Sequence, residues 1–69
     1  MTHRKVIGEN IRTLRRAKGW TQETLARKTK MNSGYLSTLE LGQVTVSVDN
    51  LVKIAKALKT TPADLFKEN

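Results

Sequence analysis

The stretch Thr21–Gly42, TQETLARKTKMNSGYLSTLELG, constrains the fold more than any other part of the chain. Thr21 is a natural helix N-cap, and Leu25, Ala26 and Thr29 then recur at helical spacing. The pattern breaks at Lys30-Met31, and Asn32 offers a second N-cap. Leu36 and Leu39 follow as the inward face of another short helix, which stops at Gly42. Ala26 puts a small residue where the two helices must cross closely. Two short helices joined by a tight turn are predicted over residues 21–42.

Such a helix-turn-helix can lay its second helix in a DNA major groove, and the charge supports that use. The formal net charge is +7, carried unevenly. Residues 1–30 hold nine Lys/Arg (Arg4, Lys5, Arg12, Arg15, Arg16, Lys18, Arg27, Lys28, Lys30) against Glu9 and Glu23. Residues 31–69 hold four cations against four acids. The whole excess therefore sits in the first part of the chain, and a polyanion is the expected partner.

Helix-period patterns extend on both sides, giving an all-α, five-helix domain over residues 1–69. The first helix is expected from Lys5 to Lys18, with Ile7, Ile11 and Leu14 as its apolar stripe and Gly19 as its left-handed cap. His3, Arg4 and Lys5 are read as a mobile basic start. The fourth helix, Val48 to Lys59, turns Leu51, Ile54, Ala55 and Leu58 inward. Thr61 caps a short fifth helix, with Pro62 at its first position and Asp64 at its third. Trp20/Leu25, Met31/Leu36 and Val46/Leu51 each flank a cap at hydrophobic-staple spacing. Met31 is read as core filler. Gln43–Val48 alternates like a strand but has no second strand to pair with, so an extended loop is expected.

Several chemistries lose their support. The chain has no cysteine, which excludes disulfides and fits a reducing cytoplasm, and one histidine, too few for a zinc site. The acids are dispersed, and neither a Walker loop nor G-x-G-x-x-G is present, so catalysis is not expected. No apolar run reaches membrane-spanning length. No cofactor, metal or small-molecule ligand is expected.

At this point the chain resembles the Cro/phage-repressor (Xre-type) helix-turn-helix regulators, whose domain is lambda-repressor-like. The likeness rests on Gln22, Leu25-Ala26, Leu36, Leu39 and Glu40-Leu41-Gly42. It extends upstream to Ile7-Gly8-x-x-Ile11-Arg12-x-Leu14-Arg15 and downstream to Leu51-x-x-Ile54-Ala55-x-x-Leu58, over roughly residues 6–66. Restriction–modification controller proteins are part of the resemblance. Lys30 stands where the family usually has glycine, which requires a left-handed residue or a different turn. Leu41 replaces a frequent arginine, and Val46 a frequent proline.

The resemblance implies a sequence-specific regulator that binds a near-palindromic double-stranded operator as a homodimer, either repressing by occluding RNA polymerase or, as controller proteins of this type do, activating as well as repressing. Ser33, Gly34, Ser37 and Thr38 match the base-reading positions. Gln22 matches a backbone anchor, a role that a free helix N-terminus and an amide also suit. The plainer alternative is an exposed helix starter. Arg12, Arg16, Lys18, Arg27 and Lys28 are further backbone candidates, some of which will simply be solvated. The Tyr35 hydroxyl reaches a phosphate, or the ring packs beside Trp20. Arg15 and Glu40 match a partly buried ion pair of the family. Dimerisation is expected within residues 44–69, where Val44, Val46, Val52, Leu65 and Phe66 form an interface or else cap the small core. The rival reading is an antitoxin-like module whose main partner is another protein. Its mark would be a long apolar or acidic tail, absent from these 69 residues.

Overall fold

A computed structural model describes residues 3–68, and five helices follow one another along them: α1 (His3–Ala17), α2 (Gln22–Thr29), α3 (Ser33–Glu40), α4 (Val48–Ala57) and α5 (Pro62–Leu65). No strand occurs among the described residues. Residues 43–47 form an extended connection whose Val44 and Val46 pack partly against the core, and Val48 already belongs to α4. No helix is long and apolar enough to cross a membrane among the described residues.

The caps set the element boundaries. Thr21 Oγ1 accepts from the Thr24 amide at 3.1 Å, and Asn32 Oδ1 accepts from those of Gly34 and Tyr35 at 2.7 and 3.3 Å. Ser47 Oγ accepts from Asn50 N at 3.2 Å, and Thr61 Oγ1 from Asp64 N at 3.2 Å. Each satisfies a helix-start amide that has no intrahelical partner. Lys30 closes α2 in the left-handed conformation, φ 58° and ψ 37°, so the turn keeps its geometry without glycine. α1 begins earlier than expected and takes in His3, Arg4 and Lys5, which are therefore not a mobile arm. The His3 ring meets Phe66 edge-on, with centroids 6.1 Å apart.

One apolar face from each helix meets in the centre. Ile11, Leu25, Leu36, Leu39, Ile54 and Leu65 are the large side chains fully buried there. Leu65 is thus a correction to the expected interface: at 0% exposure it belongs to this domain's own core and presents nothing to a partner. Asn10 fastens α5 over that core, its Nδ2 donating to the carbonyls of Leu65 and Lys67 at 2.8 Å each.

α1 crosses the end of α3 at Gly8. A Cβ built there would lie 2.4 Å from the Leu39 carbonyl oxygen and 2.7 Å from that of Glu40. These are backbone atoms and cannot rotate away. Glycine is required at Gly8 by close approach rather than by φ.

That crossing brings Arg15 to Glu40. The guanidinium donates to both carboxylate oxygens, Nε to Oε2 at 2.7 Å and Nη2 to Oε1 at 2.9 Å. Nη1 donates to the Trp20 carbonyl at 2.7 Å, and Gln22 Nε2 donates to Oε1 at 3.2 Å. Arg15 is 7% and Glu40 3% exposed. The hydrogen bond from Glu40 raises the Arg15 pKa above its ordinary value, against the opposing effect of burial. The pair is fully hydrogen-bonded, and no side-chain N or O among the described residues is buried without a partner.

Two predictions follow from this junction. Glu40→Ala leaves the guanidinium buried without its carboxylate, and should cost about 3–5 kcal/mol. Replacing both members, Arg15→Met with Glu40→Leu, should recover much of that loss, and thermal melting of the three proteins measures it. A Glu40→Ala midpoint equal to the parent's would show the pair to be energetically idle. Gly8→Ala should cost about 1–3 kcal/mol by overpacking, read as a lowered urea midpoint with an unchanged slope.

Candidate nucleic-acid interface

The outward face of α3 is small and uncharged. Gly34 is exposed, while Ser33, Ser37 and Thr38 are half-buried. Thr38 Oγ1 donates to the Tyr35 carbonyl at 2.7 Å. Its proton is committed, so the hydroxyl can face a base only as an acceptor, beside its methyl group. A Cβ at Gly34 would come within 2.9 Å of the Asn32 cap oxygen, so glycine keeps both the cap and the slim profile of the helix start.

Gln22 opens α2 at the edge of this surface. Because a carboxylate only accepts, its amide nitrogen must face Glu40. The bond leaves the amide's second N–H, its carbonyl and the backbone amides of Gln22 and Glu23 for an incoming group, the Thr24 amide being taken by the Thr21 cap. An anion suits those amides and the positive end of the helix. The ion pair therefore orients Gln22 as well as joining α1 to α3.

The remaining candidates fall into separate groups. Lys18 and Lys28 converge on Trp20, their Nζ atoms 5.3 and 4.8 Å from its ring centroid. Stacking on the indole holds both cations beside the start of α2. Arg12 lines a shallow depression with Lys5, Glu9, Glu40 and Leu41. Arg16 and Arg27 are exposed. Tyr35 packs partly against the core, and its hydroxyl accepts from Asn50 Nδ2 on α4 at 3.4 Å. This hydroxyl links α3 to α4, and the aromatic pair that forms is His3 with Phe66 rather than Tyr35 with Trp20.

A second, apolar surface lies between the start of α1, the α3–α4 connection and the end of the chain. Val44, Val46 and Phe66 line a groove of about 220 Å³ with Ile7, Leu39 and Val48 among its other walls. Val52 is half-buried on α4 and does not line it. Val48 is 76% exposed and Phe66 46%. Sequence reasoning passed over Val48 as a helix starter. The available signal was three valines within Gln43–Val48, more apolar area than a loop over a small core can bury. It also missed the Gln22–Glu40 bond, which joins residues far apart in the chain and has no periodic signature.

Comparison with known proteins agrees with this geometry. A family model described as helix-turn-helix matches residues 11–65. Control protein C.BamHI of Bacillus amyloliquefaciens is 40% identical over 64 residues, covering 91% of this chain and 79% of that protein. The crystal structure of the restriction-modification controller protein C.AhdI from Aeromonas hydrophila superposes with a TM-score of 0.87 at 41% identity, covering 91% of this chain and 96% of that one. The hypothetical transcription factor NHTF from Neisseria does so with a TM-score of 0.91 at 33% identity, covering 96% and 76%. By sequence match, helix order and the α2–turn–α3 geometry, the chain belongs to the Xre-type helix-turn-helix family of DNA-binding transcription regulators.

Proposed function

We propose that this protein is a sequence-specific regulator that binds a near-palindromic operator as a homodimer, with α3 in the major groove. The observation that carries the reading is the pairing of a slim, uncharged α3 face with an oriented Gln22 at the start of α2. Ser33, Gly34, Ser37 and Thr38 take the base edges. Gln22, Arg12, Arg16, Arg27 and Lys28 take the backbone. With no Arg or Gln on the outward face of α3, part of the preference comes from duplex shape. The likeness to the controller proteins C.BamHI and C.AhdI supports a role of this kind. Bound at a promoter, such a dimer would act on transcription by excluding RNA polymerase.

A second copy is the occupant proposed for the apolar groove. Residues 31–69 carry no net charge, whereas residues 1–30 carry the entire excess. Of the residues that line the groove Arg4 alone carries a formal charge, so two copies can meet there with less repulsion than the basic side would impose. Val44, Val46, Val48 and Phe66 supply the apolar contact, and Val52 extends it along α4. Two recognition helices in such a dimer would stand about 34–36 Å apart, one duplex turn.

The reading roles are tested by affinity across single-base variants of a duplex selected from a random pool. Ser33→Ala and Thr38→Ala should change the preference at particular base pairs, by about 1–3 kcal/mol where a good contact is lost. Gln22→Ala should weaken all duplexes alike, since a phosphate carries no base identity. A changed ranking from Gln22→Ala, with none from the α3 variants, would reverse the assignment. For the interface, sedimentation of the parent should show dimer at micromolar concentration, and Val48→Asp should show monomer. Dimer in both would move the interface elsewhere.

A further inference from the structure

The operator reading leaves one strongly charged surface unused. Lys30, Lys53 and Lys56 surround a concavity of about 450 Å³ between the end of α2 and the second half of α4, with Thr29, Ala57 and Lys28, whose ammonium is held on Trp20, as its other walls. No acid lines it. Lys30, Lys53 and Lys56 are exposed, and none makes an ion pair among the described residues. Asp49, one turn back from Lys53 on α4, is not paired with it. Three like charges around one basin repel each other, and the protein itself supplies no counter-charge there.

Apart from Lys28 at its rim, the basin lies off the surface assigned to the operator. Its α2 wall is the end opposite Gln22, about 12 Å away along an eight-residue helix at 1.5 Å per residue. None of Ser33, Gly34, Ser37 or Thr38 lines it. Part of the charge complements the negative C-terminal ends of α2 and α4, which accounts for Lys30 and Lys56. It does not account for Lys53, in mid-helix.

The walls also indicate what would fit. Lysine ammonium groups on flexible stems are point charges without a fixed fork. The basin is wide and open, and the buried polar residue in its wall, Thr29, spends its hydroxyl on the Leu25 carbonyl. A small phosphorylated ligand would require placed donors in an enclosed site. A duplex backbone requires only a positive surface within reach.

Resting on the operator reading, we propose that this lysine basin binds backbone phosphates of duplex flanking the operator, outside the bases met by α3. Flanking duplex is already held near the domain once the operator is bound, so weak contacts there add to affinity. They also favour DNA that bends toward α4.

The test uses the selected duplex trimmed to the bases the protein protects, and the same duplex extended by about one turn, ten base pairs, on each side. Affinity is measured against salt for the parent, for Lys53→Gln/Lys56→Gln, and for Lys30→Gln/Lys53→Gln/Lys56→Gln. The double variant leaves the strained turn untouched. Each lost phosphate contact flattens the salt slope by about 0.9. The parent should show a slope steeper by about 2 on the extended duplex, and the triple variant should lose that increment. The double variant should lose most of it, and all three proteins should bind the trimmed duplex alike. A parent slope that does not change with extension overturns the proposal, as do variants that weaken trimmed and extended duplex equally. Stabilisation of the parent by inorganic pyrophosphate, absent in the triple variant and without any flank effect, would reassign the basin to a free phosphate and overturn the DNA assignment. Failure of the parent to prefer the trimmed duplex over a scrambled one would instead overturn the operator reading itself.

Discussion

The Arg15–Glu40 pair is the interaction on which the rest of this structure depends. It joins the end of α1 to the end of α3, and through the Trp20 carbonyl and Gln22 it holds the chain as it enters α2. All three helices, α1, α2 and α3, are thereby positioned by one buried carboxylate. The Glu40 oxygens accept from three side-chain N–H groups. Buried ion pairs often contribute little net stability over an apolar replacement. Their value here is directional: an apolar pair at these positions would fill the space but would orient neither Gln22 nor the turn before Thr21.

The same junction explains the division of labour on the surface. α1 and α3 approach closely at Gly8, where the absence of a side chain lets the Leu39 and Glu40 carbonyls come against the helix. α3 is thus held by backbone contact on one side and by the ion pair at its end. Its outward residues are then free to be small. A slim helix carries little electrostatic attraction of its own, and the cations that supply it lie on α1 and α2, with Lys18 and Lys28 held on Trp20. In the proposed operator complex attraction and reading are therefore separate, so affinity and specificity would be altered independently.

How much of this was legible in sequence depended on whether the signal was local. The caps at Thr21, Asn32, Ser47 and Thr61 were readable, because a capping side chain acts within three residues of itself. The inward faces of the helices were readable from their 3.6-residue period. Leu65 was ambiguous because a four-residue helix is too short to show a period, and only its place over Ile54 and Ile11 in the shared core decides its role. His3 and Arg4 looked like a tail because a charged start carries no apolar pattern, yet α1 runs through them. The need for glycine at Gly8 was not legible from its own neighbours, since the atoms it must admit belong to residues more than thirty positions later.

The turn at Lys30 shows backbone preference yielding to electrostatics. A non-glycine residue in the left-handed region costs roughly 1–2 kcal/mol, where glycine has no steric penalty. A domain of this length has a total stability on the order of 3–10 kcal/mol, so the strain is not negligible. Two features offset it. The Met31 amide donates to the Ala26 carbonyl at 2.9 Å, closing the end of α2. The lysine also puts a cation at the negative end of that helix, worth about 0.3–1 kcal/mol at an exposed site. Glycine at this position would relax the turn but remove one of the three cations of the basin. If the basin holds duplex, Lys30 exchanges conformational ease for phosphate affinity, and the protein with the more stable turn would be the weaker binder of extended DNA.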